Sequence, residues 1–149
     1  MVDQNSKKDL NEALELFHFG FRAFTKEPDV MLARYGLQRV HHRILYFIGR
    51  NPSLSVNELL QVLSVSKQAL NAPLRLLKER DLISTTTDET DKRIKRLTLS
   101  ESGQALEYQL SQPQRELMES VFAQVGADAE QQWRAIMAAI AKTQFSRPA

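Results

Sequence analysis

The sequence contains no cysteine. This absence excludes disulfide bonds, thiolate zinc sites, cysteine nucleophiles and thiol-based redox sensing. Long apolar runs are missing as well, since no stretch approaches the roughly 18 apolar residues of a membrane span. The amino-terminal residues 1–10 are polar and lack the apolar core of a signal peptide. Together these absences predict a soluble, cytoplasmic protein.

Catalytic signatures are equally scarce. The chain has no glycine-rich phosphate loop, no serine nucleophile elbow and no His-Glu-x-x-His motif, and its acidic residues are scattered along polar stretches. No two of His18, His41 and His42 are separated by the four residues that would let them share a metal ion on one helix face. The sequence therefore predicts a protein that is not an enzyme and that holds no metal or cofactor.

Charge is distributed unevenly along the 149 residues, a length that fits one domain. Residues 34–100 carry 12 Lys or Arg and 6 Asp or Glu, a balance of +6, whereas residues 1–33 and 101–149 each carry 4 and 6, a balance of −2; the sums reproduce the net charge of +2. A basic middle between acidic ends fits one surface that faces phosphate. A solvated charged surface gives the same counts, so both interpretations stay open.

Apolar residues at helical spacing mark both ends of the chain. The stripe of the first helix consists of Leu10, Leu14, Phe17, Phe21 and Phe24. Glu27-Pro28-Asp29 is predicted to end that helix. Beyond Ser100 a long helix with a bend at Pro113 and a last helix are predicted, with apolar stripes of Leu106, Leu110, Leu117, Val121 and Val125, and of Trp133, Ile136, Met137 and Ile140. These stripes fit a dimer interface or burial within one subunit.

The middle of the chain reads as a helix-turn-helix. One helix is predicted from about Leu37 to Arg50, with Asn51-Pro52 after it and with a buried side of Leu37, Val40, Ile44, Phe47 and Ile48. Another is predicted from about Val56 to Leu63. Ser55 precedes it and Glu58 follows three residues later, which is a capping-box arrangement.

The next helix is the candidate for recognition, and Ser66 is its predicted N-cap. Leu70, Leu74 and Leu77 should face the core, which leaves the opposite side to Lys67, Gln68, Asn71 and Arg75. Amide and cationic groups of this kind hydrogen-bond base edges and phosphates. An ordinary amphipathic surface helix has the same pattern. Pro73 predicts either a bend or loosened turn, or a regular helix that begins only near Asn71.

A hairpin with a charged tip follows. Residues 82–87 and 94–99 alternate like strands, and residues 88–93 between them are polar and charged. The tip and the second strand hold Lys92, Arg93, Lys95 and Arg96. An arginine at a hairpin tip is suited to the electronegative minor groove of DNA.

Two segments of the hairpin form a recognisable pattern: Asp88-Glu89-Thr90-Asp91-Lys92-Arg93 and Leu97-Thr98-Leu99-Ser100-Glu101-Ser102-Gly103. They resemble the wing of the MarR family of winged helix-turn-helix transcriptional regulators. The family's Asp-x-Arg falls at Asp91 and Arg93, and its usual Leu-Thr-x-x-Gly close appears as Leu99-Ser100-Glu101-Ser102-Gly103. Residues 63–67 and 77–83 resemble the family's entry into and exit from the recognition helix, and the order of elements fits from about Asp9 to Lys142. The departures are Pro73, Ser100 in place of Thr, and Asp81 in place of Gly.

This resemblance implies a mainly α fold with a small β-hairpin wing, in one domain of residues 1–149. The winged helix-turn-helix lobe would be residues 34–100, and residues 9–27 and 101–145 would be dimerisation helices. The resemblance also implies a homodimer on an imperfectly palindromic double-stranded DNA operator, which represses transcription until a small aromatic or phenolic ligand binds. The rival interpretation is a non-catalytic helical interaction module that uses the winged fold without DNA, and the basic middle of the chain counts against it.

The family's functional positions fall on named residues. Arg93 would enter the minor groove with Asp91 as its orienting partner, and the groove-facing residues of the recognition helix would be Ser66, Lys67, Gln68, Asn71 and Arg75. A ligand pocket between the dimerisation helices and the DNA-binding lobe would draw on Phe17, Phe21, Arg39, His41, His42 and Tyr46. Core packing is the alternative role for each phenylalanine. The lack of cysteine separates the chain from the family's peroxide sensors, which leaves small-molecule sensing or no ligand.

Overall fold

The computed structural model describes residues 4–146, which form six helices and three short strands. The helices are α1 (Gln4–Arg34), α2 (Arg39–Arg50), α3 (Val56–Leu63), α4 (Lys67–Glu79), α5 (Glu101–Val125) and α6 (Ala127–Ser146). The strands are β1 (Leu54–Ser55), β2 (Ile83–Thr87) and β3 (Lys95–Leu99). The predicted fold class, mainly α with a small hairpin wing, is confirmed. Residues 1–3 and 147–149 of the predicted domain lie outside the described part of the chain.

The chain divides into two compact units, and the boundary between Pro113 and Gln114 lies inside α5. The first unit holds α1 to α4, the sheet and the first part of α5. Its core consists of apolar side chains from these elements, among them Leu32, Ile44, Leu45, Ile48, Leu59, Leu70, Leu77, Leu97 and Leu110. The second unit holds the rest of α5 and α6, with Phe122 packed edge-on against Trp133 at 5.3 Å between ring centroids.

Helix α1 runs through Pro28 to Arg34, so the predicted end at Pro28 is wrong. A proline removes one backbone N–H from the helix, and the turn after it is retained because Leu32 is buried in the core. The helix ends at Arg34, two residues before Gly36, whose φ of +66° is left-handed. Leu37 N–H then donates to the carbonyl of Leu32 at 2.8 Å, the bond of a Schellman motif.

The helix-turn-helix forms as predicted, because its caps are local. Ser55 Oγ accepts the Glu58 N–H at 3.1 Å, and Glu58 Oε1 accepts the Ser55 N–H at 3.1 Å. Ser66 Oγ accepts the N–H of residue 69 at 3.1 Å and starts α4 at Lys67. The alternative start near residue 71 is therefore wrong, and Pro73 lies inside a helix that includes it.

The wing is part of a three-stranded antiparallel sheet with the order β1-β3-β2. In β2 and β3 the register runs from Ile83 opposite Leu99 to Thr87 opposite Lys95. Strand β1 was not predicted, because two residues are too few to show an alternating pattern. It pairs with β3 and places Ser55 opposite Arg96.

One junction joins the end of α4, the start of β2 and the start of α5. Asp81 takes the left-handed turn with φ of +57°, where the family often has glycine. Ser100 Oγ accepts the Gly103 N–H at 3.0 Å and donates to the Asp81 carbonyl at 2.6 Å, so serine supplies the hydroxyl that threonine usually provides. A Cβ on Gly103 would lie 2.0 Å from the carbonyl oxygen of Leu82.

Much of the apolar surface of α1 and of the second unit is open to solvent in the single chain. In α1 the exposed members of the predicted stripe are Leu10, Leu14, Phe17 and Phe21, between 46% and 69% exposed. In the second unit they are Leu117, Val121, Val125, Trp133, Ile136 and Ile140. Burial within one subunit therefore does not account for these residues. None of the helices within residues 4–146 combines the length and apolarity needed to cross a membrane.

Candidate nucleic-acid interface

Helix α4, the wing and the start of α3 enclose a concave groove with a volume of about 360 Å³, here called the basic groove. It contains the cations of Lys67, Arg75, Lys78, Arg93 and Lys95 and no carboxylate. The remaining lining residues are Ser55, Val56, Asn57, Asn71, Leu74 and Ile94. A concentration of positive charge with no carboxylate among its lining residues attracts a polyanion such as a nucleic-acid backbone.

The structure brings most of the predicted recognition residues to this groove. Lys67, Gln68, Asn71 and Arg75 are all exposed on α4, opposite the buried leucines. All but Gln68 line the groove. The hydroxyl oxygen of Ser66 accepts the N–H of residue 69 in the helix cap, and its O–H can still donate to a phosphate.

The side chain of Arg93 extends from the wing tip and is held by the carboxylate of Asp91. Asp91 Oδ1 accepts the backbone N–H of Arg93 at 3.0 Å and its Nε at 3.1 Å, and Oδ2 accepts an Nη at 3.1 Å. The hydrogen bonds from Arg93 lower the pKa of Asp91, so the carboxylate stays charged at neutral pH. The Arg93 side chain is still 91% exposed. This geometry leaves the guanidinium accessible while fixing its base. Lys92 beside it is exposed.

Arg96 lies at the base of the wing, away from the lining of the basic groove. Its Nε donates to Asp88 Oδ1 at 2.7 Å, and its Nη1 donates to the Ser53 carbonyl at 3.0 Å. Glu58 Oε1 is 3.8 Å from Nη1. The bond from Arg96 holds the pKa of Asp88 well below its usual value. The predicted DNA-contacting role of Arg96 stays untested, and its partners here are protein groups.

Lys95 differs from the neighbouring Arg96 in its contacts. Its Nζ donates to the hydroxyl of Thr87, its partner across the hairpin, at 3.1 Å. It is exposed and lines the basic groove.

Sequence reasoning missed Ser55, Asn57 and Lys78 as groove residues. Lys78 could have been found, because it lies three residues after Arg75 and seven after Asn71, on the same helix face. The two residues at the start of α3 gave no such signal, since their approach to the wing depends on the tertiary fold.

The candidate ligand residues fall into separate local arrangements, and none of them lines the basic groove. Phe21 and Arg39 are brought together, with the guanidinium carbon 5.4 Å from the ring centroid. Arg39 also donates to Asp29 Oδ2 at 2.7 Å, and this bond lowers the pKa of Asp29. Phe17 is exposed in α1, and Tyr46 packs edge-on against Phe47 at 5.2 Å.

Both candidate histidines are buried, and each makes a hydrogen bond within the protein. His41 Nδ1 accepts the Gln38 N–H at 2.8 Å in the cap of α2. Ser111 Oγ donates to Glu107 at 2.9 Å and lies 3.0 Å from His42 Nε2, so it is His42 that carries the proton between them. Burial lowers the pKa of both imidazoles. Within residues 4–146 no group of three or more His, Asp or Glu side chains is arranged to hold a metal ion.

Comparison with known proteins gives concordant matches. A model of the MarR family matches residues 35–94. The HTH-type transcriptional regulator PetP of Rhodobacter capsulatus is 37% identical over 133 residues, which are 89% of this chain and 80% of that protein. The structure of Staphylococcus aureus MarR in complex with salicylate and kanamycin has a TM-score of 0.75 and 23% identity, and the match covers 93% of both chains.

The structure of an S. aureus MepR-DNA complex matches with a TM-score of 0.70 and 19% identity, over 87% of this chain and 96% of that one. At these identities the two solved structures bear on the fold alone. They agree with the winged helix-turn-helix built by α2 to α4 and the sheet.

Proposed function

This chain belongs to the MarR family of winged helix-turn-helix transcriptional regulators, and on that premise we propose that its basic groove is the surface that grips operator DNA. The family resemblance predicted from the wing is thus confirmed. The observation that carries the proposal is the set of five cations around the groove, with no carboxylate among its lining residues. The protein is proposed to act by binding alone, without catalysis, in the cytoplasm where a regulator meets chromosomal DNA.

Within this surface we assign α4 to the major groove and Arg93 to the minor groove. Asn71 is exposed and suited to read an adenine edge, and Arg75 is suited to a guanine or a phosphate. Lys78 and Lys95 at the walls of the groove would neutralise phosphates. The carboxylate of Asp91 supports this assignment, because it fixes the Arg93 guanidinium before DNA arrives.

The proposed assembly is a homodimer. The exposed apolar side chains of α1 and of the second unit support it, since such residues usually mark a protein interface. Residues 34–100 would form the DNA-binding lobe, with residues 9–27 and 101–145 as the dimerisation helices. A two-fold dimer on B-DNA would place its recognition helices roughly 34 Å apart, so the operator would be an imperfect palindrome.

The proposed mode of regulation is repression relieved by a small aromatic or phenolic ligand. The structure of S. aureus MarR in complex with salicylate and kanamycin supports this ligand class, because salicylate is a phenolic compound. In this chain the Phe21 ring beside the Arg39 guanidinium supplies an aromatic face and a cation of the kind that such a ligand requires. The ligand would shift the protein toward a state unable to bind DNA only by its differential affinity for that state.

The salt dependence of DNA binding tests the core of the proposal. Titration of a palindromic duplex, selected from genomic fragments, at several salt concentrations should give a log–log slope of about −0.9 for each phosphate contacted. An interaction module that does not bind DNA would show no such slope. Weak binding that does not change with salt would contradict the assignment of the groove.

The Arg93→Ala variant tests the wing. We expect an operator affinity lower by about 1–3 kcal/mol, or roughly 5- to 150-fold, because a groove contact is lost. Arg22→Ala is the matched control, since Arg22 is exposed in α1 and lies outside the DNA-binding lobe. Equal affinities of both variants and the wild type would show that the wing does not contact DNA.

The Phe17→Glu variant tests the assembly. A buried carboxylate would destabilise an interface on α1, so sedimentation velocity should show monomers at concentrations where the wild type is dimeric. Arg22→Glu, on the same helix and exposed, serves as the control. A monomeric wild type that binds DNA would contradict the dimer while leaving the groove assignment intact.

A further inference from the structure

The side chain of Arg96 connects three parts of the DNA-binding lobe. It belongs to β3, pairs with Asp88 at the start of the wing tip, and reaches the Ser53 carbonyl in the loop before β1. Its side chain is 33% exposed and that of Asp88 only 15%. A charged pair this well covered and this short is more restricted than the usual surface ion pair.

Asp88 carries the connection onward into the tip. Its Oδ1 takes the bond from Arg96, while Oδ2 accepts the backbone N–H of Asp91 at 3.0 Å and the hydroxyl of Thr90 at 2.8 Å. Asp91 in turn holds both the backbone and the guanidinium of Arg93. A series of hydrogen bonds therefore connects Arg96, through Asp88 and Asp91, to the backbone and the guanidinium of Arg93.

The other end of this path is anchored in the helix-turn-helix. Ser53 has a left-handed φ of +69°, and its N–H donates to the Leu97 carbonyl at 3.2 Å. Its carbonyl is therefore held beside β3, where the second arm of the Arg96 guanidinium meets it. Glu58, the capping-box residue of α3, lies 3.8 Å from the same arm. Arg96 thus connects the wing tip to the loop before β1 and to the start of α3, within the helix-turn-helix.

A direct phosphate contact is the competing role for Arg96. Two carboxylates already face its guanidinium, and it does not line the basic groove. Its Nε and Nη1 already bind Asp88 and the Ser53 carbonyl, so only Nη2 is left for a phosphate, and the nearby carboxylates of Asp88 and Glu58 would repel that phosphate. The geometry favours an internal role.

We propose that Arg96 is a positioning residue for DNA recognition, which sets the orientation of Arg93 through Asp88 and Asp91 and does not itself contact DNA. This inference rests on the proposed function and deepens it. It reassigns a cation that would otherwise be counted among the DNA contacts.

The test compares Arg96→Lys in two backgrounds. Lysine keeps the charge but lacks the planar fork that serves Asp88 and Ser53 together. In the wild-type background we expect operator affinity to fall by about tenfold, because the bonds that hold Asp88 and the Ser53 carbonyl together are lost. In an Arg93→Ala background the same substitution should cost less than about twofold, because two residues that act through one contact are not additive.

Lys95→Ala is the matched control, since Lys95 is the preceding residue and lines the basic groove. It should flatten the salt slope by about 0.9 and cost the same in both backgrounds. Urea unfolding would check that each variant is folded. Should Arg96→Lys fail to fold, Asp88→Asn breaks the same bridge from its other side and should show the same dependence on Arg93.

The inference is overturned if Arg96→Lys leaves affinity unchanged, or if it costs the same with and without Arg93. The latter result would identify a direct phosphate contact. These outcomes leave the proposed function intact, provided that the wild type binds the duplex and Arg93→Ala weakens it. A wild type without salt-dependent binding would overturn both.

Discussion

Replacement of Gly103 by alanine should destabilise the protein strongly at a position that carries no polar side chain. Gly103 is buried in the first turn of α5. An added Cβ would lie 2.0 Å from the Leu82 carbonyl oxygen and 2.9 Å from its carbon. Side chains seldom approach a backbone carbonyl so closely, and a backbone atom cannot turn aside as a flexible side chain does.

The cost follows from what must move. Displacement of the Leu82 carbonyl strains a packed junction, which costs about 1–3 kcal/mol. The same oxygen accepts the Ser100 N–H at 3.0 Å, and loss of that bond adds about 1 kcal/mol. The better helix propensity of alanine returns at most about 1 kcal/mol. The net loss is about 2 kcal/mol, which is roughly a 30-fold change in the unfolding equilibrium constant.

Urea unfolding of Gly103→Ala measures this loss, and Gly20→Ala is the control. Gly20 lies inside α1 with no atom within 4 Å of an added Cβ. Alanine there should therefore stabilise the helix by about 0.5–1 kcal/mol. A Gly103→Ala protein as stable as the wild type would refute the close approach. A loss of the same size at both glycines would refute its assignment to this contact.

Three further predictions follow from single residues. Asn71→Ala should relax sequence preference more than it weakens binding to random duplexes, as competition gel shifts can show, and equal losses on both would remove Asn71 from base recognition. Asp81→Gly should raise the free energy of unfolding by about 0.5–1 kcal/mol, because glycine adopts the left-handed turn without the Cβ penalty. Burial lowers the pKa of His42 from 6.5. The unfolded chain therefore takes up a proton first as the pH falls below 6.5, and stability should decline there. In urea titrations across this range His42→Asn should decline less than the wild type, and an equal decline would contradict this role of His42.

The parts of the fold that were predictable are those fixed by neighbouring residues. Ser55 with Glu58, and Ser66 with the next turn, start α3 and α4 where the caps indicate. The end of α1 was predicted at Pro28 and lies at Arg34, because the left-handed Gly36 determines where the helix ends. A proline costs a helix one hydrogen bond, which tertiary packing can offset, whereas a left-handed glycine turns the chain away.

The candidate site could likewise be predicted only in part. Lys67, Asn71 and Arg75 share a helix face, and this is visible from spacing alone. The pairing of Arg96 with Asp88 and Ser53 was not, because it depends on the register of β3 against β1 and on the approach of a loop 43 residues away. Charge patterns identify which residues are cationic, but they do not identify which carboxylate or carbonyl satisfies each cation.

The junction at the base of the wing ties the two ends of the hairpin together. The hairpin opens after Asp81 and closes at Ser100, where the Asp81 carbonyl accepts the hydroxyls of Ser100 and Ser102 and the Leu82 carbonyl accepts the Ser100 N–H. These hydrogen bonds fix the base of the hairpin, while Asp88 and Asp91 fix its tip. Exchanges at the exposed Glu89 and Lys92 would leave both untouched, so these two positions offer a place to retarget the protein to a different operator.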